Sequence, residues 1–408
     1  MRKLYLVLLF LSAGASLLNA QDYWIQLDSV KGSPRSVASA FVANGEGFIV
    51  AGLESPGFTR RMYSYDLMQD DWDDEQSIGG LNGGGLSRGS ACGFSIGGKG
   101  YICLGQGDNT NFLRDVWEYD PLLDVWSQKA DYAGSARRGA VAFVISDIAY
   151  VGTGEDITGL RKDFYKFDPQ TNLWGNVMDF GGTPRRQAVG FSIGNQGYVG
   201  TGDDGTLRND FWQYQVFQNA WVQKASFPGT PRSGATGWGI FPDGYIATGE
   251  DAGWNYCNDI WAYNYFTNQW VQRTSMPGTG RKHAISFVVG NVAYVGTGYN
   301  GDLLDDFYSY QGITGVNEHA SASAALQVFP LPASGPFNLH TANRPVSGDE
   351  LHVYDVNGRE VTSYFSIAMD SNGYTLIPAD HVSGNFTCVL LNAESELIGT
   401  AAAVVVKN

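Results

Sequence analysis

Apolar side chains recur along this chain in short alternating runs, not at helical spacing. Ala140-Val141-Ala142-Phe143-Val144-Ile145-Ser146-Asp147 reads as a half-buried strand, and after a tight turn Ala149-Tyr150-Val151-Gly152-Thr153-Gly154 returns as a second. Equivalent turns at Gly97-Gly98, Gly194-Asn195 and Pro242-Asp243 predict hairpins. A third strand follows a pattern of Asp, an apolar residue and aromatics, with Asp115, Asp163, Asp210, Asp259 and Asp306 leading it and Arg61 as the exception. The fourth strand carries a tryptophan. Four strands per unit, repeated, predict an all-β protein built of blades.

The repeat is visible on arginines. Arg35, Arg88, Arg137, Arg185, Arg232 and Arg281 stand 53, 49, 48, 47 and 49 residues apart, and each is followed 17 positions later by a glycine, Gly52, Gly105, Gly154, Gly202, Gly249 or Gly298. An aromatic comes next (Tyr65, Tyr119, Phe167, Tyr214, Tyr263, Tyr310). In five units a tryptophan follows it by seven positions: Trp72, Trp126, Trp174, Trp221 and Trp270. The sixth unit lacks one, while Tyr23-Trp24-Ile25-Gln26 near the N-terminus matches the segments at Trp221 and Trp270. The expectation is a ring of six blades over residues 21–310, closed by the N-terminal strand.

These elements resemble the kelch family of β-propellers: the small residues closing the second strand, the aromatic of the third and the tryptophan of the fourth. The resemblance implies a six-bladed kelch β-propeller and says little about function, since propellers carry enzymes, glycan binders and scaffolds.

Residues 1–20 begin with Arg2 and Lys3, continue as an apolar stretch and end at Ala20, the pattern of a cleaved secretory signal. No later apolar run approaches the ~18 residues of a membrane span. The formal net charge is −15, and removal of the leader takes two positive charges with it. Such an acidic chain repels phosphate backbones, which argues against nucleic acid as a partner. Cys92 and Cys103 fall on the two strands of one hairpin; they read either as buried thiols or as a cross-strand disulfide. Cys257 and Cys388 are scattered.

After residues 311–326, a small, polar linker, the texture changes. Residues 327–408 alternate over several short runs and predict a small β-sandwich. Pro330, Pro332 and Gly335, then Tyr354 to Arg359, Gly384 with Phe386, and Lys407 resemble the type A C-terminal sorting domain of the type IX secretion system, with Leu331 where that family carries asparagine. The resemblance implies passage across an outer membrane by that secretion machinery, removal of the domain, and a secreted or cell-surface product.

Catalytic chemistry is sparse. The kelch-like copper oxidases need two histidines at the metal, and the propeller contains only His283, because His319, His340, His352 and His381 lie beyond it. Copper oxidation is therefore rejected. No metal, cofactor or catalytic residue is assigned. Acidic loops between second and third strands (Glu155, Asp156, Asp203, Asp204, Glu250, Asp251, Asp302) read as solvated turns, with calcium as the weaker alternative.

The repeated arginines are expected at the mouth of the central channel, paired with carboxylates of neighbouring blades. Departures from the repeat make better site candidates: Arg138, Arg186 and Lys282, standing where other units carry Ser36, Gly89 and Ser233, together with His283, Trp254 and Tyr256. All fall on the upper side, where an anionic ligand, a sugar or a peptide side chain would meet them; a loop plug is the alternative for Trp254. The lower face, with its two-residue turns, offers a ligand little. Three classes follow: a secreted binding module for carbohydrate or extracellular protein, a metal-independent carbohydrate-active enzyme such as an N-acetylneuraminate mutarotase or epimerase, and a structural surface protein.

Overall fold

The computed structural model describes residues 22–80, 84–108 and 111–312, and in the C-terminal part 327–329, 337–340, 349–355, 361–370, 373–379, 382–391 and 397–405. Residues 1–20, expected from the sequence to be a signal, most of the expected linker 311–326, and Pro330, Pro332, Gly335, Arg359 and Lys407 lie outside the described residues.

Residues 22–312 form six four-stranded antiparallel sheets. The first blade is Ser39–Ala43, Glu46–Val50, Met62–Asp66 and Asp71–Glu75, and the next four lie at 92–129, 141–176, 189–223 and 236–273. The sixth combines Ile285–Val289, Val292–Tyr299 and Leu303–Gln311 with the N-terminal strand Tyr23–Leu27. Each first strand packs against the next around the ring, and Ile285–Val289 meets Ser39–Ala43 to close it. The fold is an all-β propeller. Aromatic side chains fill the spaces between blades; Phe143, for example, packs its ring on Tyr150, Phe164, Tyr214 and Trp221.

The tryptophans act at the rim. Each pairs across its hairpin with the aromatic seven positions upstream, as Trp72 does with Tyr65 and Trp270 with Tyr263; Trp24 takes the same place opposite Tyr310. Two residues before every one of them stands Asp or Asn: Asp22, Asp70, Asp124, Asn172, Asn219 and Asn268. Its side-chain oxygen accepts a backbone N–H from the preceding blade while the tryptophan Nε1 donates to the carbonyl of that same residue. The clamped residues are Asp28, Gln76, Ala130, Met178, Ala225 and Thr274. Both backbone groups of one residue are thus satisfied by one Asp/Asn-x-Trp unit, with donor–acceptor distances of 2.7–3.3 Å. Asp22 and Trp24 complete the set on Thr274.

The arginines correct the sequence expectation. They are buried, at 0–1% exposure, instead of standing at the mouth. Five form paired hydrogen bonds with the aspartate that leads the third strand of their own repeat, not of a neighbour; Arg Nη2 lies 2.6–3.0 Å from Asp115, Asp163, Asp210, Asp259 and Asp306. Where Arg61 replaces that aspartate, Arg35 pairs instead with Glu54 at 2.7 Å. Blade-to-blade contact at this level runs through the backbone: the closing glycine N–H of each repeat donates to the arginine carbonyl of the next, from Gly52 on Arg88 round to Gly298 on Arg35. Those glycines have φ of +92° to +112°, which an L side chain rarely adopts.

In the C-terminal part, one sheet holds Gln327–Phe329, Phe337–His340, Gly373–Pro378 and Phe365–Asp370, and another holds Glu350–Asp355, Gly384–Leu391 and Leu397–Val405. Phe337, Leu339, Val353, Leu376, Cys388 and Leu390 share one buried core between them. Cys92 and Cys103 stand opposite each other in register, both buried and unbridged. Among the described residues no helix is long and apolar enough to cross a membrane.

Candidate functional site at the upper mouth

First strands enter from the upper side, so the loops joining second to third strands gather there while the hairpin turns face below. Two layers meet at the upper mouth. In the deeper one, the residue two beyond each arginine takes the left-handed conformation: Val37, Ser90, Gly139, Gln187, Gly234 and His283. Five consecutive backbone hydrogen bonds link them around the axis, from Ser90 N–H on Val37 to His283 N–H on Gly234. Glycine at 139 and 234 leaves room for the next side chain: a Cβ on Gly234 would lie 2.8 Å from His283 Nε2. That nitrogen is buried without a hydrogen-bond partner. Burial, with Lys282 beside it, holds the imidazole pKa down at about 4, so the ring is neutral at physiological pH.

The layer above joins the residue after each arginine to the residue after each closing glycine by a short bridge. Here the blades differ. Blades three and four carry a charge ladder: Arg138 contacts Gln106 and Glu155, and Arg186 reaches Glu155 at 2.8 Å and Asp203 at 3.0 Å. The two arginine side chains remain about one-third exposed. Burial favours the neutral form of Glu155, but its hydrogen bonds to Arg186 and Arg138 outweigh that and hold its pKa below the usual range. Lys282 pairs with Glu250 at 2.8 Å in the fifth and sixth blades, with its Nζ 5.8 Å from the Tyr256 ring and 5.9 Å from that of Tyr299. The three repeat-breaking cations are thus each matched by a carboxylate, which makes this layer balanced in charge where the sequence suggested a surplus of positive charge.

The acidic loops are only partly the solvated turns expected. Asp156 and Glu250 are buried. Asp156 accepts from Thr158, Gly159, Ser135 and Arg161, and Asp204 from Thr183, Thr206 and Arg208. Among the described residues no group of three or more His, Cys, Asp or Glu is placed to hold a metal.

Trp254 stands apart. It is 77% exposed and has φ of +61°, an unusual backbone for a bulky residue. Its turn is held by Asp251, whose Oδ1 accepts from Gly253 N at 2.8 Å and Asn255 N at 3.0 Å, while Trp254 N donates to the Asp251 carbonyl. The indole is presented on a braced loop next to Tyr256. The structure therefore brings Tyr256, Lys282 and His283 together, with Trp254 on the same loop as Tyr256, and gathers Arg138 and Arg186 at the neighbouring blades. Gln106 and Tyr299 join the layer without having been singled out from the sequence. Their signal was their place immediately after the closing glycine.

No family model matches the chain, and no curated protein matches it. Among solved structures it is similar to that of YjhT, with a TM-score of 0.59 and 19% identity over 69% of this chain and 95% of that one. At that identity the likeness is one of fold, and it agrees with the β-propeller read from the sheets.

Proposed function

We propose that this protein is a kelch-type propeller that works outside the cell as a carbohydrate-binding module, with its ligand at the upper mouth. The observation that supports it best is Trp254. Holding a bulky residue in the left-handed region costs free energy, and such strained residues concentrate at ligand sites. A flat aromatic face on the loop that also carries Tyr256 suits a sugar ring, and the one-third-exposed side chains of Arg138 and Arg186, on the third and fourth blades of the same mouth, are the cations that an acidic substituent would meet. An extracellular protein presenting an acidic side chain is the other ligand of this class. Residues 327–408 act, in this reading, as a type IX sorting domain, so mass spectrometry of the exported product should find it ending near residues 311–326; an intact Lys407 on that product contradicts the assignment.

A second reading is a metal-independent mutarotase or epimerase acting on a sugar acid such as N-acetylneuraminate. It is compatible with the likeness to YjhT and with a neutral imidazole at the axis. A glycan array probed with the mature protein, together with the rate of anomer exchange measured by NMR, separates the readings. Array binding without faster exchange supports the module; faster exchange supports the enzyme. Neither result leaves the structural role.

A further inference from the structure

The lower face also breaks its repeat, and it does so in one blade. In five blades the first hairpin turn consists of two residues drawn from Gly, Asn, Ser and Asp, whereas the fifth blade carries Phe241-Pro242, one residue before the Pro242-Asp243 turn expected from the sequence, with Asp243 already in the second strand. Its second hairpin turn opens with two aromatics, Tyr265-Phe266. The rings of Phe241, Tyr265 and Phe266 lie 5.1–6.1 Å apart as one cluster. All three are half-buried, while Phe217, in the matching turn of the fourth blade, is 89% exposed.

Tyr354 packs on this cluster. This residue of the C-terminal strand Glu350–Asp355 sets its ring 5.0 Å from Phe241 and 6.0 Å from Phe266. The chain leaves the ring at the same place: Gly312 lies against Tyr245 of the fifth blade, where an added Cβ would meet the tyrosine hydroxyl at 2.9 Å. The segment joining the two parts therefore starts on the blade that carries the platform.

We propose that the aromatic turns of the fifth blade are an intramolecular dock for the C-terminal unit, with Tyr354 as the residue seated in it. The dock holds that unit against the lower face and leaves the upper mouth open while both parts remain in one chain. Detachment of the C-terminal unit uncovers three aromatic rings on the underside.

The full chain tests this by paired cysteines. Phe241→Cys with Tyr354→Cys, in which Tyr265 and Phe266 still form the platform, should cross-link under mild diamide at least about fivefold faster than the control pair Phe217→Cys with Tyr354→Cys, because only the first two positions lie within side-chain contact of each other. Equal rates overturn the dock. Should the cysteine variants not fold, hydrogen exchange on the unmodified chain and on Tyr354→Ala gives an independent answer. Amides of 241, 243–245 and 264–268 should exchange faster in the variant while those of 216–219 stay the same. Unchanged exchange at the fifth blade overturns the proposal.

Discussion

At the scale of single residues, the buried arginine explains more of this molecule than any other side chain. Arg185 illustrates the balance. Burial alone would raise the Asp210 pKa, but the hydrogen bonds and charge of Arg185 keep it below the usual range, so the pair persists in its ionised form. Removing one member leaves a buried charge unmatched. Arg185→Met is expected to lose about 3–5 kcal/mol in urea unfolding, and Arg185→Met with Asp210→Leu should recover part of that loss. A single variant as stable as the parent would contradict the role assigned to the pair.

His283 yields a pH prediction whose sign is fixed by its lowered pKa. The unfolded imidazole takes up its proton near 6.5, while the folded one resists it down to about 4. Stability from this residue is complete above pH 6.5 and is lost as the pH falls toward 4. The slope should amount to about 1–3 kcal/mol, and His283→Gln, the residue found at the equivalent Gln187, should flatten it. An unchanged slope in thermal melts from pH 7 to pH 4.5 would mean the imidazole titrates normally.

At the scale of elements, the Asp/Asn-x-Trp clamp ties each outer strand to the blade before it. Most of the repeat could be read from the sequence because strand alternation, the arginine and the tryptophan recur at nearly constant spacing. The clamp could have been read as well, since Asp or Asn precedes all six tryptophans by two positions. It stands out less than the arginine because Asp22 lies outside the arginine-aligned repeat and the position holds Asp in three units and Asn in the other three. The direction of the arginine pairs was not legible: spacing alone does not tell an own-repeat aspartate from a neighbour's. Asp22→Ala should open the seam between the fifth and sixth blades, because Thr274 N and the Tyr310 hydroxyl both lose their acceptor. We expect a loss of about 1–3 kcal/mol and faster exchange at Tyr23–Leu27. Deleting residues 21–30 removes the whole strand and should leave an open edge with poor solubility. A deletion variant with parental melting temperature would refute closure by this strand.

For the whole molecule, two kinds of position emerge from one repeat. Where all six blades agree, as at the arginine and the rim clamp, the side chain joins strands or blades. Where they disagree, the differences gather on the two faces: charged and aromatic residues above, three aromatic rings under the fifth blade below. The upper departures were legible as candidates because a repeat supplies its own baseline. Their pairing was not, because the carboxylates that match Arg138, Arg186 and Lys282 belong to the loop after the closing glycine, and only folding sets them opposite.

The central claim is that the upper mouth holds the ligand, with Trp254 as its aromatic contact. The direct measurement is calorimetric affinity for the strongest glycan found on the array, compared among the parent, Trp254→Ala and Phe217→Ala, the last being an even more exposed aromatic on the opposite face. Trp254→Ala should weaken binding by about 1–3 kcal/mol with an unchanged melting temperature, and Phe217→Ala should bind like the parent. Equal affinity for all three would place the ligand elsewhere on the ring.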